Sequence, residues 1–180
     1  MRIETPPLLL RPFAPADLDE LLRLYSDPEV MRFIGKGVRS REETEAGLTR
    51  MAGQWPQLGF GMWALHEKET GKFVGRCGLQ PLSDTGQVEV GYALHREFWG
   101  RGLTTEAATV ALRFGFETIG LPRIVAIARA ENVASRRVME KLGMTYSPAD
   151  DFDHPRLPPG HPLRPHVLYR VAADTIEERR

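Results

Sequence analysis

Apolar positions change their spacing twice along the chain, and each change marks an architectural boundary. In "APADLDELLRLYSD", Leu18, Leu21, Leu22 and Tyr25 recur at helical intervals, after a short extended run Leu8–Phe13. Pro15 suits the first turn of that helix. "PEVMRFIG" predicts a second, short helix ending at Gly35, and Ser40 with Glu43 is a capping-box signature for a third. Leu48, Met51 and Trp55 continue the apolar stripe of that third helix. Alternation then takes over. Phe60–Glu67, Lys72–Leu82 and Gly86–His95 read as three strands, joined by turn residues at Thr70-Gly71 and Asp84-Thr85-Gly86, which predicts an antiparallel meander.

Helical spacing returns from Leu103 to about Thr118, with Leu103, Ala107, Val110, Ala111 and Phe114 as the buried stripe. Pro122–Arg129 is a nearly continuous apolar run, as in a strand covered on both faces. In "NVASRRVMEKLG", Asn132 suits a helix N-cap and Gly143 a C-terminal stop. "MTYS" resumes extended structure, "PADDFDHPRLPPGHPLRP" is a proline-rich loop, and "HVLYRVA" is a final strand. Thr175–Arg180 reads as a frayed end. This order predicts an α/β fold, with one mixed, mostly antiparallel sheet of about six or seven strands flanked by about four helices. One domain over residues 1–180 is expected, its core at about 8–171.

Composition narrows the classes. Apolar residues are 42% and charged residues 27%, enough for a real core, and the formal net charge is zero. Zero net charge argues against bulk attraction to nucleic acid or to an anionic membrane. The single cysteine, Cys77, builds neither a disulfide framework within the chain nor a cysteine-rich metal site, and no metal is expected. No signal-peptide pattern opens the sequence, and no segment approaches the roughly 20 apolar residues of a membrane span. A soluble cytoplasmic protein is the expectation.

The chemistry begins at "REFWGRGLTTEA". Gly100 and Gly102 flank Arg101 between a strand and a helix. A helix N-terminus presents unpaired N–H groups, and glycines let backbone approach an anion, so the stretch is either an anion site or a plain tight turn. A dinucleotide fingerprint is disfavoured, because Thr105 stands where a third glycine belongs and a meander precedes the loop. A nucleoside-triphosphate loop is disfavoured because no Gly-Lys-Ser/Thr occurs.

Four pieces in order carry a resemblance: "LLLRPFAPADLDELLRLYSDPEVMRFIG", "VEVGYALHREFWGRGLTTEA", "ENVASRRVMEKLGM" and "HVLYRV". Together they resemble the GNAT superfamily of acyl-coenzyme-A-dependent N-acetyltransferases, in its RimJ/RimL-type branch of ribosomal-protein N-terminal acetyltransferases. The resemblance spans about Leu8 to Val171 and implies the GNAT fold, with acetyl-CoA as acyl donor. It implies that backbone N–H groups from about Phe98 through Trp99, Gly100, Arg101 and Gly102 to Leu103, with Thr104, hold the pyrophosphate. It implies that the pantetheine arm pairs with the strand edge at Tyr92, Ala93 and Leu94, in a gap beside Ile124–Arg129, with Asn132 a further contact. Arg96, Arg101 and Arg136 are candidate phosphate partners. Glu97 departs from the general pattern, which has Gln or Arg there.

The resemblance implies direct transfer without a covalent enzyme intermediate. The Ala93 N–H is the implied oxyanion donor. Glu89 is the candidate base, because a carboxylate inside an apolar strand needs a reason and Gly91 and Ala93 on its face leave room; a structural ion pair is the other reading. The general family's acidic tyrosine falls on Met139, so Ser135, one helical turn earlier, is the candidate acid or thiolate partner. The acceptor side falls on Pro28–Gln54 and Pro148–Arg164, with Met31, Phe33, Phe152, Asp153 and His154 as candidate contacts. Asp150, Asp151 and Asp153 would attract a protonated amine, while Trp63, His66 and His166 read as packing or strand-surface residues. The acceptor is a primary amine: a protein N-terminal α-amine, or else a polyamine, an aminoglycoside or an amino acid. A non-catalytic acyl-CoA sensor is the alternative of another class, and an NAD oxidoreductase a distant third. The resemblance allows a homodimer, but no exposed stripe identifies an interface.

Overall fold

Leu8 and Leu10 alternate with Leu9 and Arg11 along β2 (Leu8–Pro12), and both alternate leucines are fully buried. β2 lies between β1 (Ile3–Glu4) and β3 (Met62–Glu67), antiparallel to each. The computed structural model describes residues 1–82, 85–154 and 157–174. Asp84 of one expected turn, and the expected frayed run Thr175–Arg180, lie outside those residues.

From β3 the meander continues antiparallel through β4 (Phe73–Leu82) to β5 (Gln87–Leu94). β6 (Arg123–Ala128) follows β5 in parallel, and β9 (Pro165–Ala172) pairs antiparallel with β6. β7 (Thr145–Tyr146) and β8 (Phe152–Asp153) both pair with β9. Nine strands are present among the described residues, against about seven expected. β1 and β8 are the additions; at two residues each they carry no alternation to read.

The helices cover both faces. α1 (Leu18–Ser26), α2 (Pro28–Met31) and α3 (Arg41–Leu58) pack on Met62, Ala64 and Ala93. α4 (Leu103–Arg113) and α5 (Val133–Lys141) pack on the opposite face, over Trp63, Cys77, Leu79 and Val90. β3 is therefore buried almost throughout, which is why its alternation is weak.

Local chemistry explains most boundaries. Ser40 Oγ accepts from Glu43 N–H at 3.2 Å and Glu43 returns the bond to Ser40 N–H at 2.9 Å, the expected capping box. α3 outlasts its apolar stripe, running through Pro56 to Leu58 before Gly59 ends it. In α1 it is Leu24 that is buried with Leu21 and Tyr25, while Leu22 is half-buried. α4 stops at Arg113, and the expected remainder, Phe114–Thr118, winds wider as a π turn. That turn sets the Phe114 ring 5.3 Å from Trp63 and 5.9 Å from Trp55 in one aromatic cluster.

One buried ion pair pins α1 to the sheet. Asp17 is 4% exposed and accepts from Arg11 at 2.8 and 2.6 Å and from Ala14 N–H at 2.8 Å. Burial pushes its carboxyl up, but Arg11 and the Ala14 N–H outweigh that and hold it below the ordinary value.

Three histidines make stability depend on pH in the opposite half of the scale. Burial pushes His66, His95 and His166 down, helped by Arg11 at His66 and Arg23 at His95. The folded state then holds these rings neutral, while the unfolded chain takes up protons near the ordinary value of about 6.5. Their contribution is complete above that value and is lost as pH falls through it. Tm is expected to fall between pH 7.5 and 5.5, and His166→Gln to flatten part of that slope. A Tm that rises on acidification in this window would contradict the assignment.

Candidate active site

β5 keeps its antiparallel partner along its whole length, from Leu82↔Gln87 to Gly75↔Leu94. Its parallel partner is different: β5 and β6 share one register pair, Glu89↔Val125. Beyond Glu89 the strands part, and a cleft of about 980 Å³ opens where they do. Leu94, at the far end of the gap, has its carbonyl taken by the Trp99 indole N–H at 2.8 Å.

The gap joins two faces of the sheet. Glu89, Gly91 and Ala93 lie opposite Gln80, Gly78 and Arg76 in the β4 register, on the side covered by α1 to α3. Tyr92 lies opposite Cys77, on the side of α4 and α5. Glu89 is 8% exposed and its Oε1 accepts from Gln80 Nε2 at 2.6 Å.

α4 supplies one wall. Gly100 and Gly102 take left-handed backbone, φ 72° and 77°, and space is open where each Cβ would stand. Gly102 is the N-cap and brings no side-chain cap. The first helical bond, Glu106 N–H to Gly102 carbonyl, leaves the N–H groups of Leu103, Thr104 and Thr105 ahead of it without intrahelical acceptors.

α5 supplies the other wall. Asn132 Oδ1 accepts from Ser135 N–H at 3.1 Å, as an N-cap should. Ser135 Oγ lies 3.0 Å from Tyr92 Oη, and the phenol also donates to the Ser135 carbonyl at 3.2 Å. Burial pushes the Tyr92 phenol up, against the pull of Ser135, so it stays protonated.

The profile of the Acetyltransferase (GNAT) domain matches residues 7–145. The chain belongs to the GNAT acetyltransferases. It is 32% identical over 173 residues to an FsC-acetyl coenzyme A-N(2)-transacetylase of Aspergillus fumigatus, covering 88% of this chain and 71% of that one. A solved GNAT-family acetyltransferase from Bacillus anthracis superposes with a TM-score of 0.80 at 26% identity, covering 97% and 99% of the two chains. Ribosomal-protein-S5-alanine acetyltransferase from Vibrio fischeri shares the fold, with a TM-score of 0.77 at 18% identity over 97% of each chain. This is the RimJ/RimL-like family, with the mixed α/β GNAT fold and acetyl-CoA as the donor the family implies.

The residues of this GNAT enzyme fit that donor: an open, uncapped helix N-terminus suits a pyrophosphate, and a parted strand edge suits an amide-bearing arm. Tyr92, Ala93, Leu94, Trp99, Gly100, Gly102, Thr104, Asn132 and Ser135 all line the cleft. Several expected donor contacts do not. Phe98 and Leu103 are 3% and 5% exposed, with their side chains in the core, while the Leu103 N–H, the group expected to serve, is among those open at the start of α4. The Phe98 and Trp99 N–H groups already donate to the His95 and Arg96 carbonyls, so the free N–H groups start later in the loop than expected.

The arginines also depart from expectation. Arg101 turns its guanidinium onto Glu67, above the Phe98 ring, and Arg96 leans toward Asp27 at 3.9 Å. Arg136 donates to Tyr169 Oη at 3.1 Å and to the Ala130 carbonyl at 3.2 Å, away from the cleft. The phase of α5 presents Ala134, Arg137 and Lys141 to the cleft instead.

On the acceptor side Phe33 and His154 line the cleft, but Met31 is fully buried among α1 to α3. Phe152 and Asp153 form β8 and face a second, separate hollow. The loop acids hold their own partners: Asp150 pairs with Arg170, Asp153 with Arg164 at 3.4 Å, and Asp151 accepts from Tyr146 at 3.1 Å. None of the three lines the cleft. His166, read as a packing or strand-surface residue, also stands in the cleft wall, its ring 5.1 Å from that of His154. Arg39, Arg76 and Gln80 line the cleft without having been singled out, and Tyr25, expected only in the apolar stripe of the first helix, joins them. Arg76 carried the signal that marked Glu89, a charge within an apolar strand.

Gly102→Ala places a Cβ on left-handed backbone at a cost of about 1–2 kcal/mol. Acetyl-CoA affinity is expected to fall several-fold by titration calorimetry, with far-UV circular dichroism unchanged. Unaltered affinity would remove this turn from the donor site.

Proposed function

We propose that the enzyme transfers the acetyl group directly from acetyl-CoA to a primary amine, with both substrates held in the one cleft. The observation that carries this reading is the meeting, at the strand gap, of Glu89 from the acceptor face with Ser135 and Tyr92 from the donor face. The acetyl thioester supplies an electrophilic carbonyl and a thiolate leaving group. The amine nitrogen forms the new C–N bond as the C–S bond breaks. Its proton passes to Glu89, directly or through one water, which is general-base work. A backbone N–H of this strand near Ala93 is the donor the family implies for the oxygen on which charge gathers. When the Tyr92 O–H turns from the Ser135 carbonyl to Ser135 Oγ, the serine O–H is left to meet the departing sulfur.

Direct attack is further supported by the state of the one cysteine. Cys77 is fully buried outside the cleft, and burial pushes its thiol up to about 12, so it offers no thiolate for an acyl-enzyme. Positioning then supplies much of the acceleration. A protein N-terminal α-amine, near 8, asks less of a base than a lysine-type amine at about 10.4. Peptide N-termini and small primary amines both satisfy this chemistry, and the charge of the acceptor wall separates them.

Glu89→Gln and Ser135→Ala are to be compared with the parent after calorimetry shows that each still binds acetyl-CoA. Glu89→Gln is expected to lower kcat about 10²–10⁴-fold, and Ser135→Ala by less. Tyr92→Phe is expected to match Ser135→Ala, and the double variant to be little worse than either, since the two hydroxyls act as a unit. Intersecting double-reciprocal plots are expected. Parent-like rates in both Glu89→Gln and Ser135→Ala, or parallel plots, would overturn the reading.

A further inference from the structure

The acceptor half of the cleft is cationic, against the expectation of an acidic loop. Among the described residues its wall carries Arg32, Lys36, Arg39, Arg50 and Arg76, with Glu29, Glu43 and Glu89. Two of the carboxylates have work within the wall: Glu43 pairs with Lys36, and Glu89 accepts from Gln80. The arginines are not matched in this way.

Arg76 is the anomaly. It sits on β4 between Ala64 and Ala93 in the ladder and is 7% exposed. Its Nε is buried with no hydrogen-bond partner, and no carboxylate pairs with its guanidinium among the described residues. Its named neighbour is the buried Tyr25 ring, 5.6 Å away. Arg39 stacks on that same ring at 4.3 Å. Burial lowers the Arg39 pKa, the charges of Arg76 and Arg50 lower it further, and Tyr25 and Glu43 oppose them, so these guanidinium groups stand close enough to repel. Buried charges are ordinarily paired, because removing one from water without a counter-ion is costly. Guanidinium groups gathered with open donors match a carboxylate, which takes them two at a time.

Position adds the second requirement. Gly91 leaves the cleft floor without a side chain, and the atoms nearest a Cβ there would be Gln80 Nε2 at 3.6 Å, Met62 Cε at 3.7 Å and Arg76 Nη1 at 3.8 Å. Gln80 is the residue bound to Glu89. This part of the cleft floor thus lies between the guanidinium and the amide that holds the carboxylate to which the transfer reading gives the amine.

We propose that the acceptor is a small primary amine carrying a carboxylate close to its nitrogen, of the amino-acid class, with its carboxylate on Arg76 and Arg39 and its amine toward Glu89. This rests on the transfer reading above. A polyamine or an aminoglycoside brings more positive charge to a wall already rich in it. A peptide N-terminus brings a neutral amide where the guanidinium waits.

The test measures release of the coenzyme A thiol at saturating acetyl-CoA, with free amino acids, their amides, short peptides and spermidine. Free acids are expected to exceed their amides about 10–100-fold in kcat/KM, the range for a hydrogen bond to a charged group. Arg76→Met is expected to bring that ratio to about one, with the Kd for acetyl-CoA unchanged. Arg39→Gln, on a half-buried site that tolerates change better, is expected to lower the ratio partway, and the parent ratio needs no variant. Amides, peptides or spermidine turning over as well as the acids would overturn this proposal and leave the transfer reading intact. A raised Kd for acetyl-CoA in Arg76→Met would overturn it by assigning the arginine to the donor's phosphates. No thiol released with any amine, although acetyl-CoA binds, would overturn the transfer reading and this proposal together.

Discussion

The separation of β5 from β6 is the constraint on which the rest of the molecule depends. Strands in a sheet pair because unpaired backbone groups are costly away from water. Here the parallel ladder is held at Glu89↔Val125 and then released. The residues to which the proposed chemistry is given lie along the released edge. It gives a way through the sheet, so that a side chain from the α1–α3 face and one from the α4–α5 face reach the same space. Without it, Glu89 and Ser135 would be isolated on opposite sides of a continuous layer.

Such an opening has to be held by the remaining structure. The unbroken β4–β5 ladder supports one lip. The other lip rests on β6, whose own antiparallel partner β9 follows it from Arg123 to Ala128. Beneath, Trp55, Trp63 and Phe114 form a cluster with ring centroids 4.9–5.9 Å apart. Large buried rings of this kind anchor α3, β3 and the end of α4 to one another. The gap is therefore a local exception within an otherwise closed sheet.

The order of elements was legible because helices and long strands announce themselves by period. The capping box at Ser40 and the N-cap at Asn132 were legible because each needs only a few neighbouring residues. β1 and β8 were not, since two residues define no period. The turn that opens α4 was legible from Gly100 and Gly102, whose left-handed backbone is itself a local property. Arginine direction was not. Arg101 and Arg136 sit at suitable places in the chain, yet Glu67 and Tyr169, distant in sequence, decide where they point. The acid loop misled for the same reason, because Arg170 and Arg164 neutralise acids that look available in a string of letters. Arg76 lay in plain view but gains meaning only when the register sets it beside Gly91 and Ala93.

The bond from the Trp99 indole to the Leu94 carbonyl joins the loop that leads into α4 to the free end of the parted strand. Those are the two seats that a long, jointed molecule such as coenzyme A would occupy at once. Because they are tied together, neither has to be found separately. Much of the ordering entropy that a floppy loop and a loose strand end would lose on binding is already lost when the chain folds. For a donor seated at both, the indole would serve as a spacer, fixing the distance between its anchoring end and its reactive end before it arrives.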